Sequence, residues 1–171
     1  MNKQAQPARA KPEREAPSLD SPLSGKQLHE MLKQMDERPN IITDKSINEN
    51  STIEDIFNGS GHSILFHNWG GKIGHWYAMV RSRNPPYIYF FDSFGEHPDK
   101  YNKHIKDVVL KSGNRFYYNN NKFQNDKASS CGRHALLVCG LNKMNIKPNE
   151  IENAFKSLDN PDEFVVNMIR Q

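Results

Sequence analysis

The sequence has no long hydrophobic run. Its 171 residues are 36% hydrophobic and 25% charged, with a mean hydropathy of -0.83. No stretch approaches the roughly 20 apolar residues of a membrane span, so we expect no membrane association. The opening stretch MNKQAQPARAKPERE contains no hydrophobic segment either, and we therefore expect no secretory signal. A chain of this length corresponds to one domain.

Cysteine is also scarce, and the charge balance is nearly even. Cys131 and Cys139 are too few for a disulfide framework, which indicates free thiols in a reducing compartment. If both lie on one helix, their spacing separates them by about 12 Å along the axis, too far for a disulfide. Lys and Arg number 23 against 20 Asp and Glu, a net charge of +3. This mild bias is compatible with nucleic acid nearby but lacks the clustering of a dedicated DNA-binding protein.

The first part of the chain predicts a tail followed by helices. Residues 1–22 lack aromatic and β-branched residues and bury too little to offset their ordering entropy. We therefore predict a disordered tail over 1–22 and a folded domain over 23–171. Ser24 is a suitable N-cap for a helix with apolar residues at helical spacing, namely Leu28, Met31, Leu32 and Met35. Ser51 and Glu54 have the spacing of a capping box for a short helix through Phe57.

The middle of the chain changes to strand composition. Short aromatic or β-branched segments occur at 62–67 (HSILFH), 74–80 (GHWYAMV), 87–92 (YIYFFD) and 115–118 (RFYY). Helical spacing returns at Tyr101, Ile105, Val108 and Val109, a buried helix is predicted from Ser130, and Pro148 and Pro161 each open a further helix. The pattern predicts an α+β fold, with a small central mixed β-sheet flanked by helices.

Cys131 directly precedes the apolar helix. A thiol at a helix N-terminus lies near the positive end of the helix dipole and unpaired backbone N–H groups, and both favour the nucleophilic thiolate. Gly132, next in the chain, would let a substrate backbone approach closely because it has no Cβ. A small buried core residue is the commoner role of a single cysteine, and we assign that role to Cys139.

A nucleophilic thiol needs a base, and the base needs an orienting group. His75 starts one predicted strand and Asp92 ends the next, with a turn at Asn84-Pro85-Pro86 between them. If the strands pair antiparallel, the two side chains can form a hydrogen bond that fixes the imidazole tautomer. Gln124 lies in a loop seven residues before Cys131, where its amide could donate to a developing oxyanion. Taken singly, an exposed histidine, a turn aspartate and a solvated glutamine are the ordinary interpretations.

The ordered set His75-Trp76, Phe91-Asp92-Ser93-Phe94-Gly95, Gln124 and Ser130-Cys131-Gly132 resembles the adenain-type cysteine proteases of adenoviruses and other DNA viruses, and more distantly the SUMO proteases. The resemblance covers about half the chain and has the chain order His, acid, Gln, Cys. It implies that His75 is the general base, Asp92 its orienting group, and Cys131 the nucleophile. Gln124 would be the oxyanion donor, with Trp76 and Gly132 contacting substrate.

By this resemblance the protein would be an endopeptidase that cleaves viral capsid or core precursors at Gly-containing sites during virion maturation. We expect a monomer without cofactor or metal, in the virion and the host cytoplasm.

Two alternatives remain open: a protease that removes a ubiquitin-like or SUMO-type modifier, and a non-catalytic virion protein that binds nucleic acid. Candidate phosphate contacts for non-specific DNA binding are Arg81, Arg83, Lys103, Lys106, Lys111 and Arg115. His134 and Cys131 alone are too few ligands for zinc.

A self-cleavage site is a further expectation. Leu23-Ser24-Gly25-Lys26 resembles the hydrophobic-x-Gly pattern that such proteases cut, and it lies at the predicted border of the tail. A simple N-cap and linker is the commoner meaning of such a segment.

Overall fold

The computed structural model describes residues 21–71 and 73–170, which form six α-helices and five strands. The strands are β1 (Ile41–Thr43), β2 (His62–Gly70), β3 (Ile73–Arg83), β4 (Pro86–Phe91) and β5 (Arg115–Tyr118). The helices are α1 (Gly25–Met35), α2 (Ile53–Phe57), α3 (Ile105–Lys111), α4 (Cys131–Lys143), α5 (Pro148–Lys156) and α6 (Pro161–Met168). Two short 3₁₀ helices cover Asp44–Ser46 and Pro98–Lys100.

All five strands form one mixed sheet in the order β1-β2-β3-β4-β5. The central pairs β2–β3 and β3–β4 are antiparallel, whereas β1 pairs with β2 and β5 with β4 in parallel. The predicted α+β class with a small mixed sheet is therefore confirmed. The strands β2 and β3 are longer than predicted, and β1 was not predicted.

The sheet separates two hydrophobic cores. Because strand side chains alternate between faces, Ala78 and Val80 pack with α1 and α4 on one face. On the other face, Tyr77 and Met79 pack in a cluster that includes Ile56 of α2 and residues of α3. We call these the α4 face and the α3 face. The helix α4 is buried along most of its length, as its apolar sequence predicted.

Most predicted helix starts are confirmed, and one is wrong. Ser24 caps α1 with a full capping box, Ser130 directly precedes α4, and Pro148 and Pro161 open α5 and α6. The capping box of α2 is formed by Thr52 and Asp55, not by Ser51 and Glu54. Ser51 instead accepts a hydrogen bond from the Asn48 N–H, and the Glu54 carboxylate binds Arg81.

The described ends of the chain meet at α4. Arg133 donates to the backbone carbonyls of Ser21, at 2.6 Å, and Ile169, at 3.1 Å. Of the predicted tail, 1–20 lie outside the described residues, so the tail and the domain boundary stay predictions. Within the part of the chain that the structure describes, no helix has both the length and the apolar character needed to cross a bilayer.

Candidate active site

His75 and Asp92 form a buried pair where β3 and β4 come together. The antiparallel register aligns Ala78 with Phe91, so the start of β3 lies beside the residue that follows β4. The His75 Nε2 and Asp92 Oδ1 atoms are 2.5 Å apart, and the two side chains are 1% and 0% exposed. The hydrogen bond anticipated from the two strand patterns is therefore present in the structure.

The Asp92 carboxylate is held by further donors. Its Oδ2 accepts hydrogen bonds from the Tyr101 hydroxyl at 2.7 Å and from the Glu96 N–H at 3.0 Å. Asn119 fixes the backbone of the same residue: its Oδ1 accepts from the Asp92 N–H, and its Nδ2 donates to the Asp92 carbonyl at 2.6 Å. With both its side chain and its backbone bonded, Asp92 has little freedom to turn away from His75.

Aromatic rings surround the His75 imidazole. Phe94 and Tyr101 stack against it at centroid distances of 4.7 and 5.4 Å. Trp69 stacks nearly parallel to it, at 5.3 Å and 9°, and is itself 51% exposed. Trp69 therefore separates the imidazole from solvent at the tip of the β2–β3 hairpin.

Cys131 is the first residue of α4, and its side chain interacts with His75. Burial lowers the pKa of His75, but hydrogen bonds and charge interactions with Asp92 and Cys131 outweigh it and raise that pKa to about 9. Because Asp92 bonds to Nε2, Nδ1 is the ring atom available to the thiol. Cys139 lies deeper in α4, where burial raises the pKa of its thiol and makes it unreactive.

Gln124 lies in the loop before α4, and its side chain is fixed at both ends. The Ser93 hydroxyl donates to its Oε1 at 2.5 Å, and its Nε2 donates to the Ala128 carbonyl at 2.8 Å. The backbone N–H of Gln124 donates to the Ser93 carbonyl at 2.9 Å. One Nε2 hydrogen has no acceptor among these bonds, so the amide can still donate to a ligand.

The loop after Asp92 crosses the loop before Gln124 at very short range. Gly95 has a φ of +70°, and a Cβ built on it would lie 2.6 Å from the backbone carbon of Asn121. Only glycine fits a position with both this backbone conformation and this contact.

Trp76 and Gly132 contact each other and the N-terminal segment. The Trp76 indole N–H donates to the Leu23 carbonyl at 3.1 Å. A Cβ at position 132 would lie 3.2 Å from Leu28 and 3.5 Å from both Leu23 and Trp76. In the structure, the residues that lie close to Gly132 therefore belong to this chain, whereas the sequence predicted the close approach of a substrate backbone. A substrate-binding role for Trp76 and Gly132 stays a prediction.

Several residues around the site were not predicted: Trp69, Ser93, Tyr101, Asn119 and Asp162. Trp69, Ser93, Tyr101 and Asn119 each contact a predicted site residue directly. Asp162 instead contacts Ser130, the neighbour of Cys131. The sequence offered one usable signal, because Ser93 and Phe94 lie in the motif that follows Asp92.

The structure changes one expectation about a charged residue, the choice of Arg81 as a candidate phosphate contact. Arg81 is unsuited to contact phosphate, because it ion-pairs with Glu54 at 2.6 Å and lies over the Phe57 ring at 4.7 Å. His134 is bonded to Asp162 at 3.0 Å. Across residues 21–71 and 73–170, no group of three or more His, Cys, Asp or Glu side chains is arranged to hold a metal ion.

The architecture is that of an α+β cysteine-protease fold. The crystal structure of the pS273R protease of ASFV (African swine fever virus) aligns with a TM-score of 0.58 at 16% identity, over 88% of this chain and 67% of that chain. Its selenomethionine form gives a TM-score of 0.54 at 13% identity, over 90% and 71% of the two chains. At these identities the likeness establishes the fold alone.

In sequence, the chain is similar to the uncharacterized protein V9 of Sputnik virophage. The two are 25% identical over 134 residues, which is 68% of this chain and 76% of that protein. No family model matches the chain.

Proposed function

We propose that this protein is a cysteine endopeptidase with Cys131 as its nucleophile. The observation that carries the proposal is the buried His75 imidazole, which hydrogen-bonds to Asp92 through Nε2 and interacts with Cys131. A pKa of about 9 keeps His75 protonated at neutral pH, the form that stabilises a neighbouring thiolate. The cysteine-protease fold supports the same proposal.

In the proposed reaction, the Cys131 thiolate attacks the scissile carbonyl carbon and the carbonyl π electrons move to the oxygen. The Gln124 amide and the Cys131 backbone N–H donate to that oxyanion. As the tetrahedral intermediate collapses, the C–N bond breaks and the His75 Nδ1 proton passes to the leaving amine. The products of this step are a thioester and a free amine.

Hydrolysis of the thioester restores the enzyme. Neutral His75 takes a proton from water, and the resulting hydroxide attacks the thioester carbonyl. The C–S bond breaks, the product leaves as a carboxylic acid that releases its proton to solvent, and the thiolate is again paired with protonated His75. Asp92 holds the imidazole in the required orientation in both steps but does not exchange a proton.

The proposed substrates are viral structural precursor proteins, cut next to glycine during virion maturation. The likeness to a viral protease in fold and to a virophage protein in sequence supports a viral setting. The preference for glycine is what the resemblance of the catalytic motifs to the adenain-type proteases implies. Peptides that differ only in Gly, Ala or Val before the scissile bond should show decreasing kcat/KM in that order.

The test compares cleavage of Gly-containing peptides by the wild type, Cys131→Ala and Cys139→Ala. We expect Cys131→Ala to lose activity by roughly 10⁶-fold, because no other group can form the thioester. Cys139→Ala is the matched control, since it removes a thiol from the same helix, and it should retain activity. Equal cleavage by the wild type and Cys131→Ala would overturn the proposal.

A further inference from the structure

One carboxylate outside the predicted catalytic set is hydrogen-bonded both to the loop that contains Gln124 and to the start of α4. Asp162, the second residue of α6, accepts hydrogen bonds at Oδ1 from the Ser130 hydroxyl at 2.6 Å and from His134 Nε2 at 3.0 Å. Its Oδ2 accepts from the Asn125 N–H at 2.8 Å. Asp162 therefore joins α6 to two segments that precede it by 28 to 37 residues.

Two of the three partners of Asp162 directly adjoin the proposed oxyanion donors in sequence, and the third lies on the same helix as one of them. Ser130 precedes Cys131, whose backbone N–H is one donor, and His134 lies one helical turn further along α4. Asn125 follows Gln124, whose side-chain amide is the other donor. A shift of Asp162 would therefore move the loop and the start of α4 relative to each other.

Asp162 is not needed to cap its own helix. The N-cap of α6 is Asn160, whose side chain accepts a hydrogen bond from the Glu163 N–H at 3.1 Å. Asp162 instead directs its carboxylate to the loop and to α4. Burial raises the pKa of Asp162, but hydrogen bonds from His134, Ser130 and Asn125 outweigh it and lower that pKa, so the carboxylate is ionised at neutral pH.

We propose that Asp162 is a positioning residue, which sets the distance between the Gln124 amide and the Cys131 backbone N–H. This inference rests on the proposed peptidase function. Asp162 contacts neither the thiol nor the imidazole in the structure's hydrogen bonds, so its effect passes through Ser130, His134 and Asn125.

The test uses Asp162→Asn, which keeps the shape of the side chain but replaces one acceptor oxygen with an amide group. Glu163→Gln is the matched control. Glu163 is an exposed neighbour in the same helical turn, and its substitution removes the same charge. Three quantities are measured: kcat and KM on a Gly-containing peptide, the affinity of a peptide aldehyde, and the rate at which iodoacetamide alkylates Cys131. The aldehyde adduct places an oxygen in the oxyanion position, whereas alkylation needs only the thiolate.

We expect Asp162→Asn to lower kcat by between about 10-fold and 100-fold, as small misplacements in a site do. KM and the alkylation rate should change by less than about two-fold, and aldehyde affinity should fall in parallel with kcat. The Glu163→Gln variant should match the wild type in every measurement. Ser130→Ala removes one of the three bonds and should lower kcat in the same direction by a smaller factor.

Two results would overturn the inference. One is an Asp162→Asn variant that behaves like Glu163→Gln. The other is a loss of alkylation rate equal to the loss of kcat, which would indicate general damage around the thiol. If Asp162→Asn does not fold, Ser130→Ala decides, and an unchanged kcat in that variant rejects the positioning role. Failure of the wild type to cleave any peptide would instead reject the proposed function. The positioning role would then still be tested by comparing the aldehyde affinity of the wild type with that of Asp162→Asn.

Discussion

The two halves of the candidate active site are held in place by different kinds of structure. His75 and Asp92 lie at the ends of two hydrogen-bonded strands, among the aromatic rings of the α3 face. Cys131 belongs to the start of a helix and Gln124 to a loop. Side-chain hydrogen bonds hold these segments in place: Asp162 accepts from Ser130, and Ser93 donates to Gln124. The backbone ladder fixes the base and its acid, whereas a few side chains fix the nucleophile and the oxyanion donor.

This difference has a consequence for mutational sensitivity. In the sheet half, strand register positions His75 and Asp92, so only substitutions of the pair itself or of the residues that clamp it should matter strongly. In the helix and loop half, we expect the loss of any one side-chain hydrogen bond to lower activity. The following experiments test the comparison.

Apart from removal of the nucleophile itself, the largest effect is expected in the sheet half, from Asp92→Asn. The amide cannot replace the charge that orients His75, so we expect kcat/KM to fall by roughly 10³-fold to 10⁴-fold. The pKa of His75 should also fall below its present value of about 9, because Asp92 is one of the groups that raise it. Peptide cleavage and an NMR titration of the histidines measure both. Asp99→Asn, at an exposed carboxylate, is the control, and a fully active Asp92→Asn enzyme would contradict the assigned role.

A smaller loss is expected in the other half from Gln124→Glu. This substitution keeps the shape of the side chain and can retain the bond from the Ser93 hydroxyl, but it removes the Nε2 donor. Loss of one oxyanion donor should lower kcat by about 10²-fold with little change in KM. Steady-state kinetics on a Gly-containing peptide measure this, with Gln124→Ala for comparison. Undiminished kcat in both variants would remove Gln124 from the oxyanion site.

Asn119→Ala tests how far the sheet half depends on one side chain. Asn119 is fully buried and bonds to both the N–H and the carbonyl of Asp92, so its loss leaves buried polar groups without partners. We expect a decrease of about 2–3 kcal/mol in the free energy of unfolding. Urea denaturation measures it, with the exposed neighbour in Asn120→Ala as the control. Equal stability of the two variants would show that strand pairing alone holds Asp92.

The last expected effect is a pH dependence of stability from His75. Its pKa rises from an ordinary 6.5 to about 9 on folding, so protonation favours the folded state. This contribution is present in full below about pH 6.5 and is lost as the pH rises through about 9. Urea denaturation across this range should therefore show a decrease for the wild type that His75→Gln lacks. Parallel curves for the two proteins would contradict the raised pKa.

The sheet half was the more predictable from sequence, for a physical reason. The sequence predicts that His75 lies beside Asp92, because an antiparallel pairing places the start of one strand next to the end of the following strand. The prediction needed only the strand composition, the proline turn and the alternation of side chains between the two faces of a strand. RFYY at Arg115–Tyr118 forms β5 as predicted. The prolines at 148 and 161 begin α5 and α6 as predicted because their fixed φ suits the first helical turn.

The helix and loop half was less predictable, because its contacts are long-range. Nothing near Asp162 in the sequence indicates that it bonds to residues 28 to 37 positions earlier. The capping box of α2 was placed one residue too early, since Ser51 and Thr52 both suit an N-cap and the pairing of Glu54 with Arg81 depends on tertiary structure.

The crossing at Gly95 constrains where this chain can be lengthened. Because a Cβ there would lie 2.6 Å from Asn121, the backbone of one loop rests directly on the other. An insertion on either side of this crossing would displace the acid and the amide donor together. Insertions into this chain should therefore be tolerated best at sites remote from the crossing, such as the tip between β3 and β4, where a foreign peptide could be added with least harm.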